Sequence, residues 1–131
     1  MNKKMITKDY IQNAIRTESK DFAKIQERFT EENIRLLHAT MGLATEAGEA
    51  LDALKKHLYY GKPLDKTNLK EEMGDLFWYL AIMADTLDID FAPIMERNIE
   101  KLKARYGEKF SDEKAIKRDL SKEREILEAN A

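Results

Sequence analysis

The sequence has no cysteine, which excludes disulfides, thiolate metal ligands and a cysteine nucleophile. It has only 5 glycines and 2 prolines, while glutamate, lysine, leucine and alanine are abundant, so we predict a helical protein. No apolar run approaches the roughly 18 residues that span a membrane. The stretch Met1-Asn2-Lys3-Lys4-Met5 lacks the apolar character of a signal peptide. We therefore predict a cytoplasmic protein that has no membrane partner.

A surplus of one charge sign is also missing. Charged residues make up 37% of the chain, yet the net charge is only −2, and lysine and arginine are spread evenly along it. Because a duplex-binding protein needs a basic patch, a nucleic acid duplex is not a predicted partner. No segment shows the sustained alternation of a strand. The length of 131 residues fits one domain over residues 1–131.

Helical periodicity divides the first half of the chain into two segments. The first helix is predicted from Lys8 to about Arg28, with a break at the polar stretch 17–21. Thr30 is a favourable N-cap for a second helix that runs to about Tyr59 and ends before Gly61. The apolar stripe predicted for this second helix consists of Leu36, Leu43, Ala47, Leu51, Leu54 and Leu58.

Three further helices are predicted in the second half. Asn68, with Glu71 three residues later, resembles a capping box at the start of the third helix. Pro93 is tolerated in the first turn of the fourth helix, which ends at Gly107. Ser111 caps a fifth, highly charged helix over residues 112–129. The apolar stripe of the third helix consists of Leu69, Met73, Leu76, Leu80, Met83, Ala84 and Leu87.

Two pairs of acidic residues interrupt the apolar parts of the second and third helices. Glu46 and Glu49 form one pair, and Glu72 and Asp75 form the other. Acids three residues apart share a helix face, so packing these helices together would direct four carboxylates at one space. Buried charges must be neutralised or paired. We therefore predict that these four residues bind a metal ion; the alternative is that each pair lies on a solvated helix face.

An all-oxygen ligand set favours Mg²⁺, with Mn²⁺ as the second choice. A carboxylate-bridged di-iron site in a helix bundle would need Glu-x-x-His on two helices. The two histidines, His38 and His57, do not follow a glutamate at that spacing. Iron is therefore disfavoured.

Three other side chains share the flank of the acids and are candidates for substrate binding. His38 and Lys56 lie on the second helix, and Tyr79 lies one turn beyond Asp75 on the third. Each also has a structural interpretation. A single histidine or tyrosine on a helix is commonly a packing residue, and Lys56 is part of a cationic helix C-terminus.

The segments Gly42–Glu49, Glu71–Leu80 and Asn98–Ser111 together resemble the MazG-like branch of the all-α NTP pyrophosphatases. The resemblance covers residues 38–111. It implies an all-α four- to five-helix bundle that forms a homodimer or homotetramer. Where the fullest form of the family motif has its first glutamate, this chain has Thr45.

The resemblance also implies an activity, namely hydrolysis of a nucleoside triphosphate to the monophosphate and pyrophosphate. Glu46, Glu49, Glu72 and Asp75 would hold Mg²⁺, and Glu49 would act as the general base. On the fourth helix, Asn98, Lys101 and Arg105 share a face from which the two cations would contact the β- and γ-phosphates; otherwise they form a solvated face paired with Glu100 and Glu108.

Two other functions remain open at this point. One is a hydrolase of narrower substrate, such as dUTP, dCTP or (p)ppGpp. The other, from a different class, is a non-catalytic helical interaction module in which the acids bind a structural metal.

Overall fold

The computed structural model describes residues 7–129, so the Met1–Met5 stretch lies outside the described residues. These residues form seven α-helices and one 3₁₀ turn, without a strand in the described range, and the predicted all-α class is confirmed. None of these helices is both long and apolar enough to cross a bilayer. The helices are α1 (Thr7–Ala14), α2 (Phe22–Glu27), α3 (Glu31–Tyr60), α4 (Lys66–Thr86), α5 (Phe91–Tyr106), α6 (Asp112–Ile116) and α7 (Leu120–Glu128), and the 3₁₀ turn is Ile15–Thr17.

Helix α3 begins and ends where its sequence predicts. The Thr30 hydroxyl accepts a hydrogen bond from the backbone N–H of Asn33 at 3.2 Å. At the other end, Gly61 adopts a left-handed conformation with φ of 68°, which glycine reaches without a steric penalty. The first predicted helix is broken as expected, because Asp21 caps the separate helix α2.

Two predicted helix boundaries are wrong. Asp65, not Asn68, is the N-cap of α4, since its carboxylate accepts the backbone N–H of Asn68 at 2.9 Å. The predicted fifth helix is two helices. Ser111 caps α6 as expected, but α6 ends at Ile116 and Asp119 caps the next helix, α7.

Helices α3 and α4 pack along each other as an antiparallel hairpin. The loop between them is only residues 61–65, and Arg35, near the start of α3, pairs with Asp85, near the end of α4. The buried apolar side chains of the hairpin are small: Ala39 is fully buried and Ala84 is 8% exposed. Among residues 7–129, a second region of helix packing follows the hairpin in the chain. There α5 contacts α6 and α7.

The buried carboxylate of Glu123 on α7 forms an ion pair with Arg105 on α5. Glu123 is 5% exposed and accepts two hydrogen bonds from Arg105, from Nε and Nη2, each at 2.7 Å. Arg118 donates a further bond from Nη2 at 2.6 Å. The two guanidinium groups hold the pKa of Glu123 at about 2, chiefly through these hydrogen bonds.

The single chain buries little apolar surface. It exposes 11379 Å², whereas a compact protein of 15.3 kDa exposes roughly 7,100 Å². No large side chain of the described residues is fully buried. Part of each predicted stripe faces outward instead of into a core, because the small residues of α3 face α4. Exposed members of the stripes are Ala47, Leu51, Leu54, Leu58, Met73 and Leu87.

Candidate metal and nucleotide site

The hairpin brings acids of both predicted pairs together. Glu46 on α3 and Glu72 and Asp75 on α4 each offer a carboxylate oxygen, and these atoms lie within 4.8 Å of one another. This spacing would allow three oxygens to bind one cation. Within the described residues, Glu49 is not a member of this group, although its charge is close enough to affect Glu46.

Glu72 is the most deeply buried of these acids, with 2% of its surface exposed. Its Oε1 accepts a hydrogen bond from the side-chain amide of Asn68 at 2.7 Å. Its Oε2 is buried and has no hydrogen-bond partner among the described residues. A buried carboxylate oxygen without a partner is costly, and a bound cation would satisfy it.

Neighbouring acids shift the pKa of Glu46. Burial raises the pKa of Glu46, and so does its close approach to the Glu72 carboxylate. The negative charges of Glu49, Asp75 and Glu72 raise it further. The protein alone therefore disfavours the charged form of Glu46. A divalent cation bound there would reverse this preference, because it would stabilise the charged carboxylate.

Beside the cluster lies a cavity of about 650 Å³, within the size range of small-molecule sites. Its lining includes Glu72, which belongs to the acid cluster, and Glu49. Lys56 and Lys62 line the same cavity and carry positive charges. The cavity thus joins the candidate metal ligands to groups that can bind phosphate. Its lining is completed by Asp52, Ala53, Pro63, Asp65 and Asn68.

Lys56, predicted to contact substrate, reaches this cavity but is already paired. Its ammonium lies 2.5 Å from Asp52, and Lys55 lies 2.9 Å from the same carboxylate. Hydrogen bonds from Lys56 and Lys55 lower the pKa of Asp52 to about 2. The pairs are half exposed, so Lys56 can exchange Asp52 for a phosphate at small cost.

The predicted substrate residues His38 and Tyr79 lie in one aromatic cluster with Trp78. The Tyr79 ring centroid is 4.9 Å from that of Trp78 and 5.7 Å from that of His38, both in edge-on contact. The Tyr79 ring also covers Gly42, where an added Cβ would lie 2.1 Å from the ring. Gly42 is therefore required for this ring position. The cluster offers aromatic surface, half of it exposed, on the same hairpin as the acids.

The α5 candidates are not part of this cavity. Asn98 is exposed and Lys101 is half buried, and neither lines it. The Arg105 side chain is 14% exposed and engaged by Glu123. These three residues do not join the acid cluster within a single chain.

Sequence reasoning did not identify Asn68 or Lys62 as site residues. Asn68 was assigned to a helix cap, although its spacing of four residues before Glu72 would have indicated a side-chain contact. Lys62 lies in the loop after α3, which carries no periodic signal. Thr45, at the motif position where glutamate is missing, donates a hydrogen bond from its hydroxyl to the Gly42 carbonyl at 3.0 Å.

Comparison with known proteins connects this site to a family. A 74-residue stretch is 36% identical to the "Gene 37 protein" of Mycobacterium phage L5, and the match covers 53% of this chain and 65% of that protein. No solved structure shows a significant match. Residues 35–110 match the family of the MazG nucleotide pyrophosphohydrolase domain. This match includes all four motif acids and more than half of the chain, so the protein belongs to the MazG nucleotide pyrophosphohydrolase family.

Proposed function

We propose that this protein is a Mg²⁺-dependent nucleoside triphosphate pyrophosphohydrolase that converts a (d)NTP and water to a (d)NMP and pyrophosphate. The observation that carries the proposal is the group of Glu46, Glu72 and Asp75, in which Glu72 is buried and has an unpartnered oxygen. These acids lie inside the segment that matches the family. An isolated acidic cluster on a solvated face would not bury one of its members.

The chain's own residues fit a divalent metal. Glu46, Glu72 and Asp75 supply hard oxygen ligands, which suit Mg²⁺ and Mn²⁺, and Glu49 completes the predicted set from the edge of the cavity. When bound there, Mg²⁺ offsets the negative charge of the triphosphate and lowers the pKa of a bound water. Mn²⁺ is the expected substitute.

Hydrolysis at the α-phosphorus needs a base and groups that hold the leaving phosphates. A water oxygen forms a bond to the α-phosphorus while the bond to the bridging oxygen breaks, and pyrophosphate leaves with that oxygen. Glu49, which is exposed at the cavity wall, takes the proton of the water. Lys56 and Lys62 contact the leaving phosphates from the same cavity.

The base and sugar would lie beside the aromatic cluster. We propose His38 and Tyr79 for this contact. Aromatic rings can stack on any base, because every base has a π-face and stacking needs no particular hydrogen-bond pattern. The rings are close to the hairpin contact at Gly42, on the same two helices as the acids.

We further propose that the protein acts as a homodimer or homotetramer. Two observations support this: the chain exposes roughly 4,000 Å² more than a compact protein of its mass, and obligate interfaces bury roughly 2,000–5,000 Å². Apolar residues on the outward face of α3 follow one another at spacings of three, four, ten and seven residues, close to multiples of the 3.5-residue period of packed helices. They are Ile34, Leu37, Met41, Leu51 and Leu58.

An oligomer also gives the α5 residues a role. Asn98, Lys101 and Arg105 do not line the cavity of their own chain. We propose that α5 of a second copy brings Asn98 and Lys101 to it, whereas Arg105 stays paired with Glu123. Cytoplasmic location remains part of the proposal and is supported by the lack of cysteine.

A pyrophosphate-release screen tests the function. Purified protein with Mg²⁺ is incubated with each of the four common NTPs, the four common dNTPs, dUTP and (p)ppGpp, and we expect pyrophosphate from at least one of the triphosphates. Release from dUTP, dCTP or (p)ppGpp alone would identify the narrower enzyme. Absence of release from every one of these substrates would contradict the enzyme and leave a helical interaction module.

A further inference from the structure

Asn68 occupies the third position of α4 and has a side chain that is not used for capping. The cap interaction is made by Asp65, whose carboxylate accepts the backbone N–H of Asn68. The side-chain amide of Asn68 instead donates to Oε1 of Glu72, one helical turn further on, at 2.7 Å. Because a carboxylate can only accept, the amide nitrogen is the atom that faces it.

This hydrogen bond is made to Glu72, the most deeply buried acid of the cluster. Glu72 is 2% exposed, and its carboxylate lies in one close group with those of Glu46 and Asp75. An amide donor satisfies Oε1 and fixes the orientation of the carboxylate plane. With Oε1 held by Asn68, the unpartnered Oε2 is the oxygen left to bind a cation.

We propose that Asn68 is a positioning residue of the metal centre, which holds Oε1 of Glu72 so that Oε2 remains available to the metal. The inference rests on the proposed function only in that it requires a cation at the acid cluster. Partners that orient metal ligands typically contribute 10- to 100-fold to metal affinity or activity. Asn68 does not contact substrate in this role, so its effect is expected in metal binding first.

The chain offers a matched control for this residue. Asn33 occupies the third position of α3, where its backbone N–H donates to the N-cap Thr30 at 3.2 Å. Its side-chain amide also makes one hydrogen bond, to the backbone carbonyl of Arg28 at 2.8 Å. Asn33→Leu therefore removes one amide donor from the same helix position without touching the acids.

The experiment measures Mg²⁺ binding by calorimetry and Mn²⁺ binding by electron paramagnetic resonance, both without nucleotide. We expect Asn68→Leu to weaken binding by about 10-fold or more and Asn33→Leu to leave it unchanged. Asn68→Gln keeps an amide donor four residues before Glu72 and should restore part of the affinity. Glu72→Gln, which removes the ligand charge itself, sets the largest expected loss. Circular dichroism confirms the fold of each variant, and Asn68→Ala replaces Asn68→Leu if the latter does not fold.

The outcomes separate this inference from the proposed function. Binding of Mg²⁺ by Asn68→Leu as tight as by Asn33→Leu would overturn the role of Asn68 and leave the enzyme proposal standing. A parent protein that binds no metal would overturn both. A parent that binds metal and loses affinity in Asn68→Leu, yet releases no pyrophosphate, would support the positioning role and contradict only the catalytic proposal.

Discussion

At the scale of single residues, the carboxylates of the hairpin differ in environment although they share one motif. Glu72 is buried and held by Asn68, Glu46 has a raised pKa, and Glu49 is exposed beside the cavity. Glu46, Glu72 and Asp75 form one close group, which suits metal binding because a cation offsets their mutual repulsion and the burial of Glu72. An exposed acid that remains outside the close group suits proton transfer. The proposed division of roles between Glu49 and the other three acids rests on membership of this group, since Asp75 is exposed as well.

The role of Glu49 gives a direct prediction. Glu49→Gln removes the proton acceptor and should lower the rate of pyrophosphate release by about 100-fold or more, while the far-ultraviolet circular dichroism spectrum stays unchanged. Glu71→Gln is the matched control, because Glu71 is also an exposed acid of the hairpin but lines no part of the cavity. Equal rates for the two variants would show that Glu49 is not the base.

Gly42 makes a second prediction at this scale. Gly42→Ala places a methyl group where the Tyr79 ring lies, and such overpacking typically costs about 1–3 kcal/mol in the free energy of unfolding. In a Tyr79→Ala background the ring is absent, so the same substitution should be neutral or stabilising, since alanine favours helices over glycine by about 1 kcal/mol. Chemical denaturation of the four proteins measures the coupling. Additive effects would show that ring and glycine do not contact.

At the scale of elements, a buried ion pair joins α7 to α5. Glu123 is almost fully buried between Arg105 and Arg118, and removal of one partner from a buried ion pair leaves an uncompensated charge. The predicted single fifth helix is broken at residues 117–119, where Asp119 caps α7. Arg118 lies in this break and pairs with Glu123 of α7.

This ion pair predicts a specific pH dependence of stability. The pKa of Glu123 is about 2 in the folded chain and roughly 4.3 in an unfolded one. Because the folded pKa is the lower one, the stabilisation is fully present above the unfolded pKa and is lost as the pH falls towards 2. Glu123→Gln should therefore lower the Tm at pH 7, and the difference from the parent should shrink between pH 5 and pH 2.

Glu128→Gln is the control on the same helix. Its partner Arg124 is 74% exposed and Glu128 is 57% exposed, and exposed pairs contribute little to stability. Its Tm should follow that of the parent at every pH. A Glu123→Gln deficit that persists unchanged at pH 2 would show that packing, rather than charge, fastens α7.

At the scale of the whole molecule, α3 and α4 pack against each other and leave large apolar side chains exposed. The fully or nearly buried apolar residues of the hairpin are small, namely Ala39 and Ala84. Larger side chains, including Leu51 and Phe77, face outward with 66% and 55% exposure. Contiguous exposed apolar surface of this kind marks interaction sites, and a second hairpin would present the matching face.

The proposed assembly predicts that Leu51→Glu dissociates the protein. A charge in a buried apolar interface is costly, so light scattering after gel filtration should show a dimer or tetramer for the parent and a smaller species for the variant. Ile116→Glu, at an 81% exposed position on α6, should leave the mass unchanged. The parent's Tm should also rise with protein concentration. A monomeric parent would contradict the proposal.

The helices and the motif acids follow from local sequence, because capping residues and 3.6-residue periodicity act within a few residues of each other. Thr30, Gly61 and Ser111 were predicted in their capping roles on this basis. The predicted capping role of Asn68 is wrong. Whether its side chain caps α4 or contacts Glu72 depends on whether Asp65 already caps the helix.

The sequence alone therefore determined the all-α class and the acid pairs whose spacing on two helices makes a metal site possible. The tertiary structure decided which of those acids meet, that Glu72 is buried with an unpartnered oxygen, and that Arg105 is engaged by Glu123. The physical reason is the separation in sequence over which each kind of interaction acts. Periodicity and capping are interactions between near neighbours in the chain, whereas burial and pairing between helices depend on how distant segments pack.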